Sequence, residues 1–248
     1  MFPTSIQSYS ITYLPTVDST NNYAATKENQ PNIQHKSVIL TSFQTQGKGQ
    51  YSNKWQSEKG RNLLFSICLF PTQLSSDHQF DLSRISAMAI RDTVNYFLSK
   101  AVYIKWPNDI FILDKKIAGI LIENTLNQSK IERSIIGIGI NINQKEFDGI
   151  EATSFSNESG KEWDLKRVLE FFIYRFDHYY ESMQSNRSEI LQGFDLHLYK
   201  RNEWQKMESA ALGIFKGRIV GTESNGMLQV EDAHGHLHRF NHKELTFN

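Results

Sequence analysis

The chain has 248 residues, enough for one sizeable core or for a large domain with a small appendage. Hydrophobic residues at 39% and aromatics at 12% fit an ordinary globular protein, and 27 basic residues cancel 27 acidic ones. A net charge of zero removes any whole-chain electrostatic case for nucleic acid or an anionic membrane.

The single cysteine, Cys68, lies in the apolar run NLLFSICLF and reads as a core residue, which excludes an intramolecular disulfide and fits a reducing compartment. The first twenty residues carry neither a basic start nor an apolar segment, and no 18-residue apolar stretch occurs, so a cytoplasmic location is expected.

In chain order, VDSTNNYA joins a strand to a helix that Asp18, Ser19 or Thr20 can cap. A strand is predicted at KSVILTSF, then a long polar loop, then a strand at NLLFSICLF that is apolar enough to be buried on both faces. The stretch FDLSRISAMAIRDTVNYFLSK keeps Leu82, Ile85, Ala89 and Tyr96/Phe97 on one helical face, with Asp81 available as its cap. Short strands follow at VYIKW, IFIL and KIAGILIE, separated by the turns PND and DKK; IIGIGINI comes after a polar connection. Helical periodicity returns in DLKRVLEFFIYRFDHYYESM and EILQGFDLHLYKR. After Trp204 the texture changes to GIFKGRIVG, MLQVED and HLHRFN, the short alternating strands of a small β domain.

Four stretches could carry chemistry. In QTQGKGQYSNKW, Gly47 and Gly49 let a backbone turn expose its N–H groups beside Lys48, although a mere turn explains the pattern as well. It is neither a dinucleotide fingerprint nor a P-loop, because the third glycine is absent and a strand follows. In KWPNDIFILDKKIAGILIE, the turn at Pro107 places Lys105, Asn108 and Asp109 at a sheet end, and Lys116 precedes a strand whose Gly119 permits close approach. In IIGIGININ, Gly137 and Gly139 interrupt a buried strand, which means a bulge or a group lying against the backbone, before Asn141 and Asn143. The VDSTN turn is the fourth. His234, His236 and His238 alternate along one strand; without an obvious further ligand they read as an exposed strand, not a metal site.

The order and spacing are more specific than any single stretch. DSTN, then Q-x-x-G-x-G-x(5)-W-x-S-x-x-G-x-N-L-x-x-S, then KWPND, K-x-A-G-I-L-x-E, G-x-G-x-N and a small β domain together resemble the biotin protein ligases over nearly the whole chain. The resemblance implies an α+β fold: a catalytic domain with a mixed sheet packed by helices over residues 1–208, and an SH3-like β-barrel over 209–248. DSTN begins at residue 18, which leaves no room for the helix-turn-helix domain that some members carry, so a monofunctional enzyme without a DNA role is expected.

By the same resemblance, Ser19, Thr20, Asn21 and Gln44 bind the ureido ring of biotin. Gly47, Lys48, Gly49 and Gln50 fold over biotin and the adenylate phosphate, Trp55 stacks in the covered site, and Gly119 lies against biotin. Lys116 and Lys105 are the implied catalytic residues, with Lys116 at the biotin carboxylate and α-phosphate. Lys48, Gln50, Trp55, Lys105, Asn108 and Asn141 are implied for ATP, while Mg²⁺ sits chiefly on phosphates and waters. The implied acceptor is a biotin carboxyl carrier protein or domain, with no membrane partner; some members pair through sheet edges as homodimers. The loop is expected to be disordered when empty and to close over the reactive anhydride. Many members read G-R-G-R where this chain reads G-K-G-Q, and Gln50 lacks a bidentate fork, so looser retention of the adenylate is expected. A lipoate or octanoate ligase of the same fold is the nearest alternative, disfavoured by KWPND and the C-terminal β domain. A non-catalytic biotin-binding protein would have lost Lys105 and Lys116.

Overall fold

The computed structural model describes residues 7–26, 33–51 and 53–247. Seven strands form a mixed sheet: β1 (Ser10–Leu14), β2 (Ser37–Thr41), β3 (Leu63–Leu69), β4 (Tyr103–Lys105), β5 (Asp109–Ile112), β6 (Lys115–Asn127) and β7 (Lys130–Ile140). Their order is β1-β2-β3-β7-β6-β5-β4, with β1 parallel to β2 and every other pair antiparallel.

Side-chain alternation splits this sheet into two faces. On β7, Ile136, Ile138 and Ile140 join the main core with Phe65, Ile67 and Leu69 of β3, beneath α2 (Phe80–Leu98) and α4 (Leu165–Ser182). The opposite face holds a small second cluster, in which Ala24 of α1 (Thr20–Thr26) meets Ile39, Cys68 and Ile135. Cys68 is thus fully buried, and burial pushes its thiol up to about 11, which makes it inert packing.

Three local readings change. Asp81 does not cap α2: Gln79 is the N-cap residue, without a side-chain bond, and Asp81 is buried against arginines. The polar connection before IIGIGINI is mostly strand, since β6 and β7 extend into a long hairpin through Asn127 paired with Lys130. The glycines of β6 and β7 mark no bulge, for Gly119 sits directly across from Gly139 in an unbroken stretch of ladder. A bulge does occur nearby. Phe111 pairs with Lys116 and Ile110 with Ala118, leaving Ile117 as the extra residue.

The helices α3 (Phe155–Ser159) and α5 (Arg187–Leu196) precede a second, antiparallel sheet of β8 (Gln205–Ser209), β9 (Gly213–Thr222), β10 (Leu228–Asp232), β11 (Leu237–Phe240) and β12 (Leu245–Phe247). Its order is β11-β10-β9-β8-β12. Arg84 of α2, fully buried, fastens this sheet to the first. It pairs with Asp81 at 2.8 Å and donates to Thr222 Oγ1 and to the carbonyls of Glu223 and Ser224. Trp106 adds a bond from its indole N–H to the Gly226 carbonyl at 2.9 Å. His236 and His238 both point at Asp232, and the bond from His238 comes first in holding that carboxyl below its usual range.

Arg84→Met should lower unfolding stability by about 3 kcal/mol in urea titration, because it strands buried carbonyls as well as removing a charge partner. Arg187→Met, which removes the more exposed partner of Asp81, should cost less than about 1 kcal/mol.

Candidate active site

The face of the sheet opposite the main core carries a cavity of about 330 Å³. Its floor is made by absence of side chains. A Cβ at Gly137 would lie 2.4 Å from Asn21 Oδ1, and one at Gly139 would lie 2.4 Å from the Trp55 indole. A Cβ at Gly119 would lie 2.9 Å from Trp55 and 3.2 Å from Lys116 Cε. Any larger residue at these positions would fill the space with its own side chain.

Lys116 reaches this face through the bulge. Strict alternation would put residues 116 and 119 on opposite faces, but the extra residue at Ile117 shifts the parity and turns Lys116 toward Gly119. Its ammonium lies 2.7 Å from Asp109 Oδ1 and 5.5 Å from the centre of the Trp55 ring. Lys105 lies at the end of β4, over the rings of Phe111 at 5.0 Å and Tyr199 at 5.7 Å. The Trp106–Pro107 peptide that follows is cis, and Asn108 closes the turn with an amide bond to the Ile120 carbonyl.

At the other end of the cavity α1 begins, with the Ser19 carbonyl accepting from Tyr23 N at 2.9 Å. Ser19 therefore starts the helix, while Asp18 bonds the Asn22 side chain. Gln44, from the loop after β2, supplies the side-chain cap: its Oε1 accepts from Thr20 N at 2.8 Å. That bond leaves the Nε2 end of the amide as a hydrogen-bond donor.

The described part of the glycine loop is a small hairpin closed over the floor. Gly49 N donates to Asn53 O at 2.8 Å and Trp55 N to Gly47 O at 2.9 Å. Trp55 Nε1 and Gln50 Oε1 are buried without a hydrogen-bond partner, which marks the covered space as one that suits a polar ligand.

Of the residues singled out from sequence, Ser19, Thr20, Asn21, Gln44, Lys48, Gly49, Gln50, Trp55, Lys105, Asn108, Lys116 and Gly119 all line this cavity. Gly47 lies directly behind Trp55 and Gln44. Asn141 does not reach the wall: it is buried and its amide holds the Thr153 carbonyl at 3.0 Å.

Two wall residues come from a stretch that carries no motif. His242 and Lys243, between β11 and β12, reach across to the hairpin. His242 stacks on Tyr51 with ring centres 5.2 Å apart, and Lys243 lies 3.5 Å above the same ring. Lys54 and Lys243 raise the lysines around the cavity to five, with Lys48, Lys105 and Lys116; Asp109 is the sole carboxylate among the lining residues. A locally cationic bowl therefore exists inside a chain of zero net charge.

A family model described as the biotin/lipoate A/B protein ligase family matches residues 13–141. The chain belongs to that family. The bifunctional ligase/repressor BirA of Bacillus subtilis (strain 168) is 28% identical over 243 residues, covering 94% of this chain and 72% of that protein. A biotin–acetyl-CoA-carboxylase ligase of Paracoccus denitrificans is 30% identical over 131 residues, covering 52% of this chain and 53% of that protein. Among solved structures, the biotin protein ligase from Aquifex aeolicus in complex with biotin and ATP superposes with a TM-score of 0.81 at 24% identity, over 96% of this chain and 98% of that one. The biotin protein ligase from Leishmania major in complex with biotin superposes at 0.64 with 25% identity, over 94% and 99%.

Gly139→Ala should push Trp55 off the floor. Hydrogen exchange read by mass spectrometry should then show faster exchange in peptides containing Gly49 and Trp55, with β3 unchanged. A second expectation concerns pH. Burial first, then Lys243, hold the His242 imidazole below its ordinary value, against an opposing pull from Asp109. A depressed value means that neutral His242 stabilises the closed hairpin, and that this contribution is lost as pH falls below the ordinary 6.5. Between about pH 7.5 and about 5.5, tryptic cleavage at Lys48 and Lys54, taken relative to an unstructured reference peptide cleaved in the same mixture, should rise in the native protein and stay flat in His242→Phe, which keeps the stack without titrating.

Proposed function

We propose that this chain is an ATP-dependent biotin protein ligase, which activates biotin as biotinyl-5′-AMP and transfers it to a lysine of a biotin carboxyl carrier protein or domain. The observation that carries the reading is the polarity of one cavity. Uncharged donors and acceptors, Thr20, Asn21 and Gln44, stand at one end, and Lys105 and Lys116 at the other, with a glycine floor between. A neutral cyclic urea on an apolar stem that ends in a carboxylate matches that sequence of environments. A lipoyl dithiolane would leave the polar end unmatched, at a cost of about 1–3 kcal/mol for each buried group. Ligand-bound and similarly named relatives support the same choice.

In the first step an oxygen of the biotin carboxylate attacks the α-phosphorus of ATP and pyrophosphate leaves. Lys116 sits where carboxylate and phosphate meet, and its ammonium offsets the charge that builds there; catalysis of such a step is mostly positioning and charge stabilisation. Lys105 and Lys48 hold the remaining phosphates, with Lys105 kept in place by the faces of Phe111 and Tyr199. Gln50 lies on the wall where the common arginine is replaced, and Lys54 and Lys243 bring further positive charge to the same bowl. Mg²⁺ would be held mainly by the phosphates and water, because Asp109 is already paired with Lys116, and it would supply further neutralisation of the phosphate charge. In the second step the carrier lysine attacks the mixed-anhydride carbonyl, AMP leaves, and the amine gives up its proton. The closed hairpin keeps water from the anhydride between the two steps. Asn141 acts from behind the wall, fixing the segment at Thr153 that pairs beside Lys116.

The test is to incubate the protein with biotin, ATP, Mg²⁺ and a carrier domain, reading pyrophosphate and carrier mass. Biotin-dependent pyrophosphate and a biotin-sized mass gain are expected, with Lys116→Ala at least about a hundredfold slower. Labelling by lipoate in place of biotin would overturn the assignment of substrate.

A further inference from the structure

We infer that Ser66 and Glu123 are positioning residues that fix the direction of a hydrogen-bond relay ending at Thr20, and so make Thr20 an obligate acceptor toward the ligand. The inference rests on the biotin reading above.

The relay is determined by counting protons. Asn21 is almost wholly buried, and its Nδ2 lies 2.7 Å from Glu123 Oε2 and 3.3 Å from the Leu121 carbonyl. Both neighbours are acceptors, so the amide can have only one orientation, with nitrogen toward them and Oδ1 toward β3. Gly137 makes room for it; a Cβ there would lie 2.4 Å from Oδ1.

On the other side of Asn21 stands Ser66, fully buried, with its Oγ 2.6 Å from Asn21 Oδ1 and 2.7 Å from Thr20 Oγ1. A serine has one proton. An amide oxygen cannot donate, so that proton belongs to the bond with Asn21. The Thr20 hydroxyl then has two inward acceptors, Ser66 Oγ at 2.7 Å and Gln44 Oε1 at 3.2 Å, and with either of them its proton points into the protein. Gln44 Oε1 already takes the Thr20 backbone N–H.

With its proton committed inward, Thr20 can show the cavity only lone pairs. Gln44, held through Oε1, shows it only N–H. An acceptor beside a donor complements one N–H and the C=O of a cyclic urea, and rejects a ring in which that N–H is replaced by an oxygen, because two acceptors would then face each other. Glu123 sets this polarity from outside the cavity, since its far side is open to solvent and it touches Asn21 alone of the group. Removing the carboxylate leaves only the longer 3.3 Å bond to the Leu121 carbonyl to hold the Asn21 amide, and the amide can then turn over. Ser66 would then accept from Nδ2 and donate to Thr20, and the Thr20 proton would be shared between the longer contact to Gln44 Oε1, at 3.2 Å, and the ligand. The relay would run backwards.

The experiment is titration calorimetry of the full chain with biotin and with its two cyclic carbamates, in each of which one ureido N–H is replaced by oxygen. The native protein should bind biotin and discriminate by roughly tenfold or more against one of the two carbamates. Ser66→Ala and Glu123→Leu should lose most of that discrimination, whereas Glu123→Gln, which keeps an acceptor for Asn21, should retain it. Thermal melting and ATP binding of each variant report whether the fold and the cationic end are intact. A merely structural role would weaken biotin and carbamates in proportion and leave their ratio unchanged; that result would overturn the relay while leaving the biotin reading in place. Failure of the native protein to bind biotin at all would overturn both.

Discussion

The alternation of side chains along a strand governs this molecule. β7 sends every second residue, Ile136, Ile138 and Ile140, into the core beneath α2 and α4, and gives the opposite face to Ile135, Gly137 and Gly139. The first face supplies packing energy; the second is emptied so that Asn21 and Trp55 can lie directly on backbone. Because the two tasks share a strand, neither can shift by one residue without exchanging apolar side chains for glycine in the core. Where the period is broken between β5 and β6, at Ile117, a lysine crosses from one face to the other.

The cavity built this way separates charge from hydrogen-bonding polarity. Its neutral end is made by uncharged side chains on α1 and the loop after β2, with Ser66 of β3 holding Thr20 and Asn21 from behind. Its cationic end draws on lysines from strands, the hairpin and the second sheet, which lie far apart in sequence. Five lysines around one carboxylate give a local field that a whole-chain balance of 27 against 27 conceals.

Much of this was legible from residues in order. The glycines of IIGIGIN, the lysines flanking KWPND and KIAGIL, and Gln44 all stand on one cavity, and a mixed α+β architecture with a second sheet after Trp204 follows the periodicities. What could not be read has a common cause, namely contacts between residues distant in the chain. Asp81 looked like a helix cap because caps are local, yet its partners Arg84 and Arg187 make it a buried ion-pair centre. His242 and Lys243 have no local pattern at all; only the return of the β11–β12 connection brings them to Tyr51. The polar stretch between β6 and β7 concealed strand, because most of its side chains are exposed and Ile131 alone among them joins the apolar core, so no apolar alternation shows. Ser66 was visible as part of a spaced motif, but its use depends on which neighbours lack protons.

The guanidinium of Arg84 has a consequence for how the chain can be cut. The change of texture after Trp204 invites separation at that point, but the carbonyls and hydroxyl that satisfy Arg84 belong to Thr222, Glu223 and Ser224. A fragment ending before Gln205 would keep the arginine and lose those partners, leaving a cation half-satisfied against Phe80 and Phe194. The seam in composition is therefore not a seam in cooperativity: the two sheets should melt in a single transition, and an isolated first portion would need a neutral residue at position 84 before it could stand alone.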